Sequence, residues 1–283
     1  MSQIDRVGVV GCGLMGSGIA EVCARAGLDV VVREVNQGAL DAGRKRIEGS
    51  LDRAVRAGKL PEAEHDDALT RLRYTTDFGE FADRQLVVEA VIENEAEKLE
   101  VFRGIDKAVE AEDAILASNT SSIPVMKLAM ATNRPASVLG LHFFNPVPVM
   151  KLLESVQGER TDGMVVTACR AVGARMGKEV VVVRDAPGFA TSRLGIALAL
   201  EAIRMVEEGV ASAEEIDRAI ELGYGHPMGP LKLTDHVGLD VRLAIAEHLH
   251  AELGERFRPP QLLRRMVRAG KLGKKSGEGF YKY

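Results

Sequence analysis

The sequence predicts an α/β fold followed by an all-helical segment, on the basis of three observations. Short valine-rich runs recur up to residue 183, and segments with helical spacing separate them. This alternation is typical of a buried parallel sheet with crossover helices. Beyond residue 185 only helical spacings remain. The 283 residues are enough for two domains, which we expect at residues 1–184 and 185–283.

The elements of the first domain follow from apolar runs and the residues that interrupt them. Strands are predicted at residues 7–10, 30–32, 86–91, 115–117, 138–143 and 180–183. Helices are predicted at residues 19–26, 39–57, 62–72 and 98–109. The first strand, first helix and second strand form a βαβ unit, whose crossover is expected to be right-handed.

The second domain is expected to contain helices only. They are predicted at residues 193–208, 213–222, 241–253 and 262–268, with Ser212 and Glu215 as a capping box. The segment at residues 193–208 is apolar on nearly every side, so we expect it to be buried. One small domain would hardly bury it alone, which indicates a second subunit.

Composition excludes several classes of partner. The net charge of -4 argues against nucleic acid or a membrane surface as the general partner. No apolar run reaches the length of a membrane span. The three cysteines are too few for a disulfide framework and have no metal-ligand spacing. With no targeting segment before the first strand, we expect a cytoplasmic protein without a bound metal.

A glycine-rich loop joins the first predicted strand to the first helix. Gly11, Gly13 and Gly16 form the pattern G-x-G-x-x-G, which is specific only in this strand–helix context. Gly11 permits a tight turn, Gly13 allows close approach of a pyrophosphate, and Gly16 allows close packing. Leu14 and Met15 lie within this loop and are expected to contact the dinucleotide, and the N-terminus of the helix that follows favours phosphates. A Rossmann-type dinucleotide-binding domain is therefore predicted; the alternative is a loop whose glycines serve packing alone.

The residue that ends the second predicted strand bears on the choice of dinucleotide. Glu34 lies roughly 20 residues beyond the loop, where an acid accepts hydrogen bonds from a ribose diol. A carboxylate would repel a 2'-phosphate, which favours NAD over NADP without deciding between them. Arg33 is adjacent, but alternation along a strand is expected to point it away.

Several longer motifs carry a family resemblance. The segments SNTSS (118–122), HFFNP (142–146), GYGHPMGP (223–230) and GKKSGEGFY (273–281) resemble the 3-hydroxyacyl-CoA dehydrogenase family. The match runs in the family's order from the first strand to the last residue. It implies oxidation of (S)-3-hydroxyacyl-CoA by NAD in fatty acid metabolism, with a short acyl chain as in the single-function members. It also implies a homodimer formed through the second domain, which would close over the site.

The resemblance implies a histidine–carboxylate pair as the catalytic group. His142 would be the general base on the substrate hydroxyl, Glu154 its partner, and Ser121 and Asn145 would lie near substrate and nicotinamide. Loss of a hydride from an alcohol requires a base that works near neutral pH, which suits histidine. If the chain reverses at the prolines after His142, Glu154 reaches the far ring nitrogen. The alternatives are a core histidine and a solvated strand glutamate.

Further positions follow from the same resemblance. Glu93, Lys98, Asn119 and Lys275 match positions that contact or neighbour the cofactor, although Lys275 is also compatible with a flexible basic tail. Ser50 matches a contact to the CoA phosphates. The family often has a lysine one helical turn after this serine, but here that position is Ala57. Arg56 lies next to it and could take the place of the lysine. A solvated basic helix face explains this pattern equally well.

Two departures from the family pattern concern substrate and cofactor. Ser192 occupies the place of a usual asparagine, which puts the substrate preference in question, and Glu34 replaces a shorter aspartate. Two rival functions therefore remain: a dehydrogenase of a free hydroxy acid or sugar acid, and a non-catalytic nucleotide-binding protein on the same fold. Acyl length, physiological direction and the exact oligomer are left open by the sequence.

Overall fold

One sheet organises the first part of the chain, and the computed structural model describes residues 3–283. Eight strands form this sheet within the described residues. They are β1 (Arg6–Val10), β2 (Asp29–Arg33), β3 (Leu72–Thr75), β4 (Leu86–Glu89), β5 (Ile115–Ser118), β6 (Val138–Phe143), β7 (Leu152–Gln157) and β8 (Glu179–Arg184). Their spatial order is β3-β2-β1-β4-β5-β6-β7-β8. The first six strands have the order of a dinucleotide-binding fold, so the predicted class is confirmed.

The direction of the strands changes once, between β6 and β7. That pair is antiparallel, whereas every other neighbouring pair in the sheet is parallel. Strand β1 lies between β2 and β4. The chain first adds β2 and β3 on one side of β1, and then crosses to the other side to add β4 and the later strands. This switch point is where open α/β sheets bind their ligands, outside the carboxyl ends of the strands.

Six helices flank this sheet in the described part of the first unit. They are α1 (Leu14–Arg25), α2 (Gln37–Arg56), α3 (Glu62–Thr70), α4 (Glu95–Ala108), α5 (Val125–Ala129) and α6 (Gly163–Arg175). The helices cover both faces of the central strands, because the consecutive residues Val9 and Val10 of β1 and Val31 and Val32 of β2 are all buried. Burial on both faces explains why these strands form unbroken apolar runs rather than alternating patterns.

The second unit is helical and follows Asp185, where the chain divides into two compact parts. Its helices are α7 (Thr191–Glu207), α8 (Ala213–Tyr224), α9 (Pro230–Val237), α10 (Leu239–Leu253) and α11 (Gln261–Arg268). Ser212 caps α8 as predicted, because its side chain accepts a hydrogen bond from the Glu215 N–H. No helix among residues 3–283 is long and apolar enough to cross a membrane.

Several predicted boundaries were wrong for local reasons. The helix expected at residues 62–72 ends at Thr70, and Leu72 begins β3 instead. The strand expected at residues 86–91 ends at Glu89, whose carboxylate accepts a hydrogen bond from Val91 N–H and turns the chain. Helix α1 begins at Leu14 rather than at residue 19. Strands β3 and β7 and helices α5, α6 and α9 were not predicted.

The expectation that the first helix of the second unit is buried holds for one face only. Ile196, Leu200 and Ile203 on α7 are buried, as predicted. Leu194 is 72% exposed and Leu198 is 37% exposed. The apolar helix is therefore only partly covered within this chain.

Candidate active site

The glycine-rich loop has two kinds of glycine. Gly11 has a φ of +90°, and a Cβ on Gly16 would lie 1.8 Å from the Gly11 carbonyl oxygen. Both positions exclude any side chain, because the protein's own backbone occupies the space. A Cβ on Gly13, in contrast, meets no heavy atom of the described chain within 4 Å. Packing alone explains Gly11 and Gly16 but leaves Gly13 unexplained, whereas a ligand close to the backbone explains it.

The start of α1 suits an anion. Gly13 is the N-cap residue, and no side chain of the described residues caps this helix end. The first turn therefore presents backbone N–H groups and the positive end of the helix dipole, which is the arrangement that binds phosphates.

A cavity of about 470 Å³ lies beside this loop, at the switch point of the sheet. It is lined by Gly11, Gly13, Leu14, Met15, Arg33, Glu34, Val35, Ala90, Val91, Ile92, Glu97 and Val101. The cavity thus adjoins the carboxyl ends of β1, β2 and β4 and the start of α1. An open, largely apolar cleft with phosphate-binding N–H groups fits a dinucleotide.

Glu34 is fixed against the loop rather than extended into solvent. Its Oε1 accepts a hydrogen bond from the Cys12 N–H at 2.5 Å, and its Oε2 accepts one from the Val35 N–H at 3.0 Å. Arg46 donates to the carbonyl oxygen of Cys12 at 2.8 Å. The carboxylate therefore holds the loop in shape, and each oxygen keeps lone-pair capacity for a further donor.

The expectation that Arg33 points away from the cofactor side was wrong. Arg33 lines the same cavity as Glu34. It is the last residue of β2, at the carboxyl edge of the sheet, where alternation no longer decides the direction of a long side chain. Its guanidinium lies 4.0 Å from the centre of the Phe78 ring, and its Nε donates to the Thr76 carbonyl oxygen.

His142 and Glu154 meet across the antiparallel pair of strands. They lie directly opposite each other in the register of β6 and β7. The Nδ1 atom of His142 is 2.7 Å from Oε2 of Glu154, and both residues are buried. Such a contact places the proton on Nδ1 and leaves Nε2 as the basic nitrogen. Glu154 is fully buried, which excludes the alternative of a solvated strand residue.

The other residues expected near the reacting atoms lie on the loops after β5 and β6. Asn119 follows β5, and its side-chain oxygen accepts a hydrogen bond from the Phe143 N–H at 2.9 Å. This bond ties the end of β5 to the residue next to His142. Ser121 is half-buried, and its N–H donates to Glu93 at 2.9 Å. Asn145 lies three residues after His142 and is exposed.

Glu93 and Lys98 belong to an ion-pair network behind these loops. Lys98 is 1% exposed, and its Nζ lies 2.6 Å from Glu89 and 3.4 Å from Glu93. Burial alone would raise the pKa of Glu93. The Lys98 ammonium and hydrogen bonds from the 120–122 loop outweigh this effect of burial and hold the pKa of Glu93 below its usual value. Lys98 thus orients Glu93 from below the surface.

Glu89 is the fully buried centre of this network, although it was not among the site residues predicted from the sequence. Its carboxylate accepts hydrogen bonds from Lys98, from Val91 N–H and from the Ser118 hydroxyl at 2.6 Å. The available signal was an acid at the end of an apolar strand with a lysine nine residues later. A buried carboxylate requires such partners, because an unpaired charge in the core is costly.

The residues expected to contact CoA lie on α2 in acidic surroundings. The Ser50 hydroxyl is hydrogen-bonded to Glu21, whose pKa is raised, chiefly by burial. Arg56 lines a cavity of about 430 Å³ between α2 and α3. Its other lining residues are Asp52, Val55, Glu62, His65 and Asp66. Three carboxylates beside one guanidinium make this cavity a poor phosphate site as it stands.

Two predicted residues lie in the second unit. Ser192 is half-buried in the first turn of α7. Lys275 lies in a short turn of the tail, and its Nζ is 2.7 Å from Asp240. This ion pair gives Lys275 a defined position, which a flexible basic tail would not have.

Comparison with known proteins agrees with this geometry. Residues 6–186 match the family model "3-hydroxyacyl-CoA dehydrogenase, NAD binding domain", and residues 188–283 match its "C-terminal domain". The chain is 54% identical over 282 residues to 3-hydroxybutyryl-CoA dehydrogenase of Mycobacterium tuberculosis, covering 99% of each.

Solved structures give the same result. FadB2 of M. tuberculosis has a TM-score of 0.95 at 53% identity and full coverage of both chains. (S)-3-Hydroxybutyryl-CoA dehydrogenase of Ralstonia eutropha has a TM-score of 0.95 at 42% identity, covering 99% of each chain. The predicted resemblance, the Rossmann-type fold and NAD as cofactor are thereby confirmed. The chain belongs to the 3-hydroxyacyl-CoA dehydrogenase family.

Proposed function

We propose that this chain interconverts (S)-3-hydroxybutyryl-CoA and acetoacetyl-CoA, or close short-chain homologues, with NAD(H). The observation that carries the proposal is the 2.7 Å contact between His142 and Glu154. His142 lies near the carboxyl end of β6, in the sheet whose strand β1 leads into the glycine-rich loop. A non-catalytic nucleotide-binding protein has no use for a buried imidazole–carboxylate pair at this place.

The residues around the cavity fit NAD. Gly13 leaves open space beside the uncapped start of α1, where we expect the pyrophosphate. Glu34 lies where the ribose diol is expected, and Glu93 and Asn119 lie on the loops towards His142. When bound, NAD accepts a hydride from the substrate's carbinol carbon. We place Lys98 as a positioning residue, because it is buried beneath Glu93.

The proton is the part of the reaction that the protein handles. Nε2 of His142 removes it from the 3-hydroxyl group, and the Glu154 carboxylate stabilises the imidazolium that forms. Both groups are buried, which strengthens their interaction. In the reducing direction His142 returns the proton. Ser121 and Asn145 are proposed to hold the substrate oxygen.

Contacts to the rest of the substrate are proposed from the resemblance. Ser192 would lie near the acyl group, Lys275 near the cofactor, and Ser50 with Arg56 near the CoA phosphates. The carboxylates around Arg56 weaken the last assignment. That observation favours a second candidate, a dehydrogenase of a free hydroxy acid that lacks CoA.

We further propose a cytoplasmic homodimer that assembles through the second unit. Leu194 and Leu198 on α7 and Leu222 and Tyr224 on α8 are exposed apolar side chains. Large apolar side chains left exposed in this way are typical of protein interfaces. The three cysteines are free and buried, as in proteins of reducing compartments.

The decisive experiment is NADH oxidation, followed by the absorbance of the reduced nicotinamide. Acetoacetyl-CoA is compared with free acetoacetate, and NADH with NADPH. Rapid oxidation that needs both the CoA thioester and NADH is expected. Oxidation with free acetoacetate but not with acetoacetyl-CoA would transfer the assignment to the hydroxy-acid candidate.

A further inference from the structure

One wall of the cofactor cavity carries a group that the proposed reaction does not use. Arg33 lines the cavity, and its guanidinium lies 4.0 Å from the Phe78 ring centre. The Nε atom donates to the Thr76 carbonyl oxygen at 3.3 Å. Phe78 is itself fixed against Phe81, with ring centres 6.1 Å apart. The guanidinium is therefore a planar cation held in place on one face by an aromatic ring.

The position of Arg33 identifies the part of the dinucleotide it faces. It ends β2, whereas His142 lies on β6, four strand positions away in the sheet. Four strand spacings separate the two by about 19 Å. The glycine-rich loop at the end of β1 lies between them, so the pyrophosphate is central. The nicotinamide must lie on the His142 side, and the adenosine on the Arg33 side.

The apolar lining of the cavity suits a flat apolar ring. Val35, Ile92 and Leu14 line the same cavity and are 70%, 65% and 63% exposed, respectively. Large aliphatic side chains left this open at a cleft are typical of a ligand-binding wall. Glu34 follows Arg33 in the chain and Asp77 precedes Phe78, and both carboxylates interact electrostatically with the Arg33 guanidinium. Their negative charges disfavour a phosphate at this place.

We propose that Arg33 recognises the adenine of NAD, with the guanidinium stacked between the Phe78 ring and the base. The inference rests on NAD binding by this family and not on the identity of the acyl substrate. An arginine suits this role because its planar, weakly hydrated guanidinium stacks on aromatic faces. A lysine has the same charge but no plane, so Arg33→Lys separates stacking from charge.

The test measures binding of ADP-ribose by titration calorimetry, without any acyl substrate. Arg33→Ala is expected to weaken ADP-ribose binding about tenfold, as expected for one cation–π or base-stacking contact. Arg33→Lys is expected to lose nearly as much, and Phe78→Leu to lose part of it. Arg73→Ala is the matched control, because Arg73 is an exposed arginine on β3 that pairs with Asp29. The Arg73→Ala variant is expected to bind ADP-ribose with the affinity of the original chain.

A second ligand distinguishes lost stacking from a damaged fold. Reduced nicotinamide mononucleotide lacks the adenosine half, so Arg33→Ala is expected to bind it as the original chain does. Equal losses for both ligands, or no loss for ADP-ribose, would overturn the proposal. So would full affinity in Arg33→Lys, or a larger loss for 2'-phospho-ADP-ribose, which would indicate a phosphate site. Failure to turn over acetoacetyl-CoA would leave these binding results unaffected, so the two proposals fail separately.

Discussion

At the residue scale, the proposed chemistry depends on which nitrogen of His142 carries a proton. The Glu154 carboxylate lies 2.7 Å from Nδ1, so the proton is held there and Nε2 is the nitrogen that acts as base. Strand register fixes this choice, because residues directly opposite in an antiparallel pair have neighbouring side chains. The tautomer is therefore determined by the backbone pairing of β6 and β7.

Replacing His142 tests the base directly. His142→Gln preserves polarity and approximate size but cannot accept the proton at neutral pH, so turnover is expected to fall by about a hundredfold or more. NADH affinity, measured by fluorescence titration, is expected to stay the same, because the dinucleotide cavity lies at the ends of β1, β2 and β4.

Glu154→Gln is the companion variant. It is expected to lower turnover as well, because the imidazolium loses its counter-charge while the base remains. If His142→Gln turns over near the original rate with acetoacetyl-CoA, the assignment of the base is wrong. If His142→Gln loses NADH affinity together with turnover, the variant has disturbed the fold, and the catalytic role must be tested with Glu154→Gln alone.

At the element scale, the buried ion pair connects three elements that meet at the site. Glu89 ends β4, Lys98 lies on α4, and Glu93 accepts hydrogen bonds from the loop after β5. The loop that carries Ser121 is thus held by a carboxylate that a buried ammonium orients. We expect this network to decide how rigidly that loop is presented.

The lowered pKa of Glu93 predicts a pH dependence with a defined sign. A carboxylate whose folded pKa lies below its unfolded value stabilises the fold fully above the unfolded pKa. That contribution disappears as the pH falls through the folded pKa. Glu93→Gln is therefore expected to melt below the original chain at pH 7, with the difference shrinking under acid conditions below the ordinary value of 4.5.

The size of this effect is modest. The Glu93 side chain is 36% exposed, so solvent screens its ion pair and about 1 kcal/mol is expected, or about 2–4 °C in melting temperature. Circular dichroism melts from pH 7 to pH 3 measure it. Glu100→Gln, which removes an ion pair with a 75% exposed glutamate, serves as the control and is expected to change little. A difference that grows on acidification would contradict the role of Glu93.

Some strands and helices could be predicted from the sequence, and others could not. The strands of the first unit that are buried on both faces, such as β1 and β6, were located by their short, mostly apolar runs. Strand β3 was missed, because LRYT has exposed Arg73 between Leu72 and Tyr74 and adjoins a helical pattern. Helix α6 has buried Val165, Cys169 and Val172 at helical spacing, but its neighbouring β-branched residues obscure that period.

A side-chain position at the site could be predicted where residues nearby in the sequence determine it, and not where distant residues do. The roles of Gly11 and Gly16 follow from the loop itself. Arg33 was placed on the wrong side, because its direction depends on Phe78 and Thr76, which lie more than forty residues away. Glu89 was overlooked, because burial of an acid is visible only once Lys98 and Ser118 are seen beside it.

At the scale of the whole molecule, the two units have different proposed roles. The first carries the cofactor cavity and the reacting side chains, and the second is proposed to form the dimer interface. The glycine-rich loop and the His142–Glu154 pair both lie in the first unit. The second unit supplies the exposed apolar side chains of α7 and α8, with Leu194 at 72% and Leu222 at 74% exposure. A stable interface covers roughly 800 Å² on each partner, to which these side chains would contribute the apolar part.

Charge introduced on these helices is therefore expected to separate the subunits. Light scattering after gel filtration should give twice the 30.5 kDa chain mass for the original chain and 30.5 kDa for Leu194→Glu and Leu222→Glu at micromolar concentration. An unpaired carboxylate in a packed apolar interface is costly, whereas the same group in water is not. Met164→Glu is the control, since Met164 is 58% exposed on α6 of the first unit and is expected to leave the mass unchanged. Retained NADH binding in the dissociated variants would show that the first unit is intact. A single-chain mass for the original protein would rule the dimer out.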